Sequence, residues 1–223
     1  SIWHSYRFMS QGFDQVPFLG EPYNPSYYPD YFQRFGFSVH ATWTSWELQR
    51  PDVETIVTDL THLTVGVGEE NSLRLAPCHP DSFRANLAVI YRLMTEEFRS
   101  NVGYSDIDFD EFHAIFSGMR DLAIPEVTPI IHDGSGEPVG FAILFPDLAS
   151  LMRPDRDRLP AHDPERTIHY LIVVSEKMRG KKVFAWAARH CWQWLLEHRS
   201  GTLIGAMIKD GPCIFARYGH RPQ

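Results

Sequence analysis

Lys177, Arg179, Lys181 and Lys182 crowd around Gly180, and four cations about one glycine suit a turn that holds an anion. Where a chain passes from a strand into the first coil of a helix, backbone N–H groups are left unpaired, and the helix dipole puts its positive end at the same place. Phosphate is the chemistry such a turn takes. A second candidate is His169, whose unperturbed pKa lies near neutrality and suits it to act as a base. The other histidines are scattered without ligand spacing, so no metal site is expected. No Ser-His-Asp order or nucleophile elbow is present, which argues against a hydrolase. The three cysteines, Cys78, Cys191 and Cys213, lack CxxC spacing and predict reduced thiols. Asp106, Asp108 and Asp110 alternate as in a calcium loop, but Glu111 and Ser117 stand where Gly and Glu would be needed. Carboxylates in a first helical turn are favoured by the dipole alone.

These residues need elements to position them. TIHYLIVV, Thr167 to Val174, is a near-continuous apolar and β-branched run and predicts a strand buried on both faces. After the basic turn, Val183, Trp186, Ala187, Cys191, Trp194 and Leu195 mark one face of a long helix. Upstream, Ser72 to Ala76 reads as a strand. Phe83, Leu87, Ile90, Met94 and Phe98 give a helix of about five turns. A second helix follows Ser105, its expected cap, with the face Phe112, Ile115, Phe116 and Met119. VTPII (Val127 to Ile131) and VGFAILF (Val139 to Phe145) flank turn residues Asp133, Gly134 and Gly136 and predict an antiparallel hairpin. Pro146 to Glu165 reads as an exposed loop, Thr202 to Ile208 as a strand, and the following residues as a short helix ending at Gly219.

The segment from Lys177 to Lys182 resembles the coenzyme A pyrophosphate loop of the GNAT superfamily of N-acyltransferases. That signature is Gln/Arg-x-x-Gly-x-Gly/Ala, and Lys177 and Lys182 occupy its first and last positions here. The order strand, helix, helix, hairpin, strand, glycine turn, helix, strand, helix from about residue 71 to 223 is also that of a GNAT domain. Near the N-terminus, three prolines precede a short helix that ends at Gly36-Phe37, followed by a strand from Ser38 to Leu48. This part resembles the last helix and closing strand of such a domain, as in tandem GNAT proteins. Residues 1–50 are therefore expected to be the C-terminal remnant of a preceding GNAT-like unit or an arm that completes the sheet. Residues 51–70 read as a polar linker with a short helix near Val53 to Leu60, and residues 71–223 as the GNAT-like domain.

The resemblance implies an α/β fold with a mixed, mostly antiparallel sheet flanked by helices, splayed between two strands where the thioester lies. It implies acetyl-CoA or another acyl-CoA as co-substrate, held by Val173, Val174, Lys177, Met178, Arg179, Gly180, Lys181 and Lys182, with a small-molecule amine as acceptor. His169 is the base candidate. Tyr218 is the candidate acid for the departing thiolate, since the position four residues before Gly219 holds Phe215. The alternatives are a GNAT-fold module without catalysis and acyl transfer from a carrier protein. The 223 residues carry a formal net charge of −7, with basic residues dispersed outside the turn, which argues against nucleic acid. No apolar run reaches the roughly 18 residues of a membrane span, and no signal-peptide pattern is present. A cytoplasmic protein is expected, with a preceding domain or a second copy as possible partners.

Overall fold

The computed structural model describes residues 1–3, 7–15, 17–148, 166–199, 202–211 and 213–218; the side chains of Ala216 and Tyr218 are outside that set. The elements in order are α1 (Tyr28–Arg34), β1 (Trp43–Leu48), α2 (Arg50–Leu63), α3 (Val67–Glu70), β2 (Arg74–Pro77), α4 (Phe83–Glu97) and α5 (Phe109–Phe116). Then come β3 (Pro129–His132), β4 (Pro138–Pro146), β5 (Thr167–Val174), α6 (Val183–His198), β6 (Leu203–Lys209) and α7 (Ile214–Tyr218). The six strands form one sheet in the order β1-β6-β5-β4-β3-β2. Every neighbouring pair is antiparallel except β5 with β6. The fold is thus mixed α/β, with a mostly antiparallel sheet flanked by helices.

Strand β4 is central because its alternate residues build both faces. Phe141, Ile143 and Phe145 join the core under α4 and α5, with Trp3 and Phe18 from the N-terminal segment. Ala142 and Leu144 join the opposite core under α2, α6 and α7. A third cluster sits beside the basic turn, where Met178, Val183 and Trp186 pack on Val67, Ile131 and Val139.

Residues 51–70 are not a polar linker. They carry α2 and α3, and α2 buries Val53, Ile56, Val57 and Leu60 against α6. The interleaved threonines masked this stripe. Thr55, Thr58, Thr61 and Thr64 each donate a hydroxyl hydrogen bond to the carbonyl four residues back, at 2.7–2.9 Å, so poor helix formers are satisfied inside a helix. Gln49 and Asp52 close a capping box at its start. β1 starts at Trp43, later than the expected Ser38, and pairs with β6 at the sheet edge. The cap of α5 is Asp108, whose carboxylate accepts the Glu111 N–H at 2.8 Å, in place of the expected Ser105. The expected Pro146–Glu165 loop falls outside the described residues from 149 onward.

Gly205, on β6, is required by close packing. A Cβ there would lie 2.5 Å from Cδ1 of Phe215 and 2.6 Å from its Cε1. That ring is buried on α7 and cannot swing clear. Gly205→Ala should therefore lower stability by about 1–3 kcal/mol, and adding Phe215→Leu should recover part of the loss; urea unfolding of the three proteins measures both. An unchanged midpoint for the single variant would mean that the ring does not sit over Gly205.

Candidate functional site

The register of β5 changes partway along the strand. Ile143 of β4 pairs with Leu171 and Leu144 pairs with His169, so Tyr170 is an extra, bulged residue. Before the bulge, the Thr167 N–H turns toward β6 and donates to the Thr202 carbonyl at 2.8 Å. After it, the Ser175 N–H turns the other way and donates to Val139 of β4 at 2.8 Å. Because the N–H and C=O of one residue point to the same edge, the bulge swaps which residues face β6. Beyond it, Ile172 and Val174 present their backbone groups on the β6 side. Side-chain packing agrees: Tyr170 and Leu171 both lie against the α4/α5 core, while Ile172 and Val174 lie toward the α6 face.

β6 leaves β5 at the same level. Only Thr167, Ile168 and His169 pair with Leu203, Ile204 and Gly205. The ladder between the two strands ends there, and the Ile172 and Val174 peptide groups face the resulting gap without a β6 partner among the described residues, an edge that an extended amide-bearing ligand can join.

The basic turn closes one end of β5. A 3-10 turn, Glu176–Met178, leads to Gly180 (φ +77°) and Lys182 (φ +58°), which immediately precedes α6. The Lys182 side chain does not cap α6. The N–H groups of Val183, Phe184 and Ala185 make no hydrogen bond among the described residues. The positive φ of Lys182 explains why glycine suits this position. Its ammonium reaches back to the Leu63 carbonyl at 3.3 Å, at the C-terminal end of α2 where a cation is favoured. Lys182 thus neither covers the turn nor extends from it.

The other cations are positioned by neighbouring elements. Arg179 pairs with Glu97 of α4 at 2.5 Å, and the same carboxylate accepts the Glu176 N–H at 2.9 Å. Lys177 pairs with Asp133 of the hairpin at 3.2 Å. The Ser135 hydroxyl and Lys177 help pull the Asp133 carboxyl down to about 2. Both cations are more than half exposed, so these pairs are weak and an incoming polyanion can compete for them. Lys181 is exposed and forms no ion pair among the described residues. Met178 is buried under the turn as a hydrophobic anchor. Ser175 is only 8% exposed, and its hydroxyl has no hydrogen-bond partner among the described residues, which leaves it available where β5 meets the turn.

Val173 and Val174, expected near the ligand, divide between the faces. The Val173 side chain is buried in the α4/α5 core, while Val174 offers its backbone to the gap. His169 lies below the bulge on the α6 face. Its Nδ1 accepts the Trp192 Nε1–H at 3.0 Å, and Trp192 and Phe215 meet the imidazole edge-on. It is 5% exposed, and burial drives its pKa down to about 3. The Tyr218 side chain lies outside the described residues. Among the described residues, no group of three or more His, Cys, Asp or Glu side chains is arranged to hold a metal ion, and no helix is long and apolar enough to cross a membrane.

Sequence reasoning missed three features. The Tyr170 bulge has no local signal in an apolar run. The Lys182–Leu63 contact joins residues 119 apart. The third is a cavity of about 940 Å³ beneath the N-terminal segment, on the β1/β6 side of the sheet.

No protein-family model matches the sequence, and no curated protein matches it significantly. Among the solved structures that align with this chain are two at a TM-score of 0.46 and 12% identity. L-PGS from Bacillus licheniformis aligns over 83% of this chain and 52% of its own. A GCN5-related N-acetyltransferase from Sphaerobacter thermophilus aligns over 88% of this chain and 53% of its own. The chain spans about half the length of each.

Burial of neutral His169 has a measurable consequence. Below about pH 6.5 the unfolded chain binds a proton there and the folded chain does not, so the contribution is complete above pH 6.5 and is lost as pH falls toward 3. His190, also lowered chiefly by burial, acts in the same direction. Between pH 6.5 and 5 the wild type should lose about 1.6 kcal/mol more than His169→Gln, the slope rising toward about 1.4 kcal/mol per pH unit as the unfolded histidine becomes fully protonated. Equal losses in denaturant titrations of the two proteins would show that His169 titrates as an exposed histidine.

Proposed function

We propose that the chain is an acyltransferase that moves an acyl group from an acyl-CoA thioester to an amine. The observation that carries this reading is the junction of two features at one end of β5: a strand edge freed by the bulge, and an uncapped, lysine-rich helix N-terminus. The strand edge suits the two amides of a pantetheine arm. The turn suits its pyrophosphate, with the N–H groups of Val183 to Ala185 as donors and Arg179 and Lys181 as counter-charges. Lys177 and Met178 hold the turn in shape, Gly180 gives it its positive φ, and Lys182 anchors it to α2.

Transfer in this arrangement is direct. The neutral amine attacks the thioester carbonyl, the C–S bond breaks, the new amide forms, and the thiolate takes a proton as the amine nitrogen loses one. The protein contributes mainly by holding the two reactants together. His169 is a poor proton acceptor at neutral pH, because burial holds its conjugate acid at about 3 and Trp192 occupies its Nδ1. We assign it a positioning role behind the strand pair and assign proton removal to water in the gap. Tyr218 is the proposed donor to the thiolate, and Tyr218→Phe tests it through turnover at unchanged coenzyme A affinity. The same buried histidine favours a second reading, a binding module without turnover.

Coenzyme A and acetyl-CoA should raise the thermal midpoint, with about 2.7 kcal/mol of stabilisation at a concentration one hundred times Kd. Lys181→Glu should weaken binding about tenfold or more, since reversing one charge at a polyanion costs on the order of 1.4 kcal/mol, and should leave the ligand-free midpoint alone. Millimolar ligand without heat or midpoint shift would end the coenzyme reading. Binding without thiol release across a panel of amines would favour the non-catalytic module.

A further inference from the structure

The cavity beneath the N-terminal segment is separate from the basic turn. It is bounded by parts of the segment from Arg7 to Glu47 and floored in part by Ile204 and Met207 of β6. Its volume of about 940 Å³ is at the upper end of the roughly 300–1,000 Å³ range of small-molecule sites. The walls combine carboxylates and aromatic rings. Asp14, Glu21, Glu47 and Asp210 face it with two guanidiniums, Arg7 and Arg166, and both guanidiniums are engaged. Arg166 is bound to Asp147, a carboxylate outside the lining that also accepts the Leu19 N–H at 2.9 Å, and it lies 3.9 Å from Glu47. Arg7 lies over the Trp43 ring at 4.8 Å. The lining already accommodates one cation on an aromatic face and retains surplus negative charge.

Glu21 is the focus of that surplus. Among the described residues its carboxylate has two neutral hydrogen-bonding neighbours, the Ser45 hydroxyl and the Phe18 N–H, while Arg166 and Asp147 act on it at longer range with opposite signs. Burial nevertheless pushes its pKa above the ordinary carboxylate value, as expected of a carboxylate without a full counter-ion. The backbone is shaped to hold Ser45 there. β1 breaks register between Thr44 and Trp46, and Met207 adopts a left-handed conformation (φ +48°). The Met207 N–H donates to the Ser45 oxygen at 3.2 Å, and the Ser45 hydroxyl donates to Glu21. Aromatic rings flank the site, with Phe8 stacked on Phe32 at 4.8 Å and Trp43 and Phe37 also in the lining.

We propose that this cavity binds an organic amine, its ammonium group paired with Glu21 and its aromatic body held among the phenylalanine and tryptophan rings. A charge-assisted bond to a partly buried carboxylate and ring contacts with the body supply complementary parts of the recognition. The proposal does not rest on the acyl-transfer reading, and its test contains no thioester.

Tryptamine, 3-methylindole and indole-3-propionate share a ring system and differ in charge. Calorimetry with the full chain should give tryptamine an affinity at least about tenfold above either of the others. Glu21→Gln should remove that advantage while leaving 3-methylindole unchanged. Ser45→Ala, which releases the carboxylate from its donor, should reduce it in part and serves as the test if Glu21→Gln unfolds. Equal affinity for the three probes, a tryptamine affinity indifferent to both substitutions, or no saturable binding of tryptamine at millimolar concentration would overturn the proposal.

Discussion

The single inserted residue at Tyr170 is the constraint on which the site depends. In a regular strand, β5 would present the same alternating set of peptide groups to β6 along its whole length, and the parallel ladder could continue. The bulge exchanges that set just where the ladder to β6 ends, so Ile172 and Val174, although paired with β4 on one side, have no partner on β6. Those groups must be satisfied by water or by a ligand. The bulge also puts His169 and Ile172 on the same face although they are three residues apart, which lets His169 enter the Trp192–Phe215 cluster. One insertion thereby separates the strand into a packed lower half and a receptive upper half.

The basic turn inherits its position from the strand, but its stability comes from other elements. Met178 anchors it in a small core shared with β3, β4 and α3. Glu97 from α4 and Asp133 from the hairpin hold Arg179 and Lys177 from outside. Lys182 takes the C-terminal carbonyl of α2 and tolerates a left-handed backbone in doing so. The arrangement leaves the N–H groups of the first α6 turn without acceptors among the described residues, an electropositive end suited to an anion. β6 is the common boundary of the two candidate regions: it forms one wall of the splayed gap and part of the floor of the carboxylate-lined cavity.

The sequence by itself determined the elements whose signals are local. The apolar run of β5 matches its observed bounds, and the α6 stripe, the β3–β4 turn residues and the cluster of cations at Gly180 were legible because periodicity and turn chemistry are written within a few residues. The basic, glycine-containing character of the turn is legible in the same short stretch. Helix α2 was less legible because threonine hydroxyls satisfied by its own carbonyls read as the polarity of a linker. Tertiary structure alone decided what those elements could do. Whether His169 meets solvent or an indole depends on the register of β5 against β4, a phase that a run of uniformly apolar residues does not encode. The surroundings of Glu21 form only when residues from β1 and β6, distant in the chain, close around the same cavity.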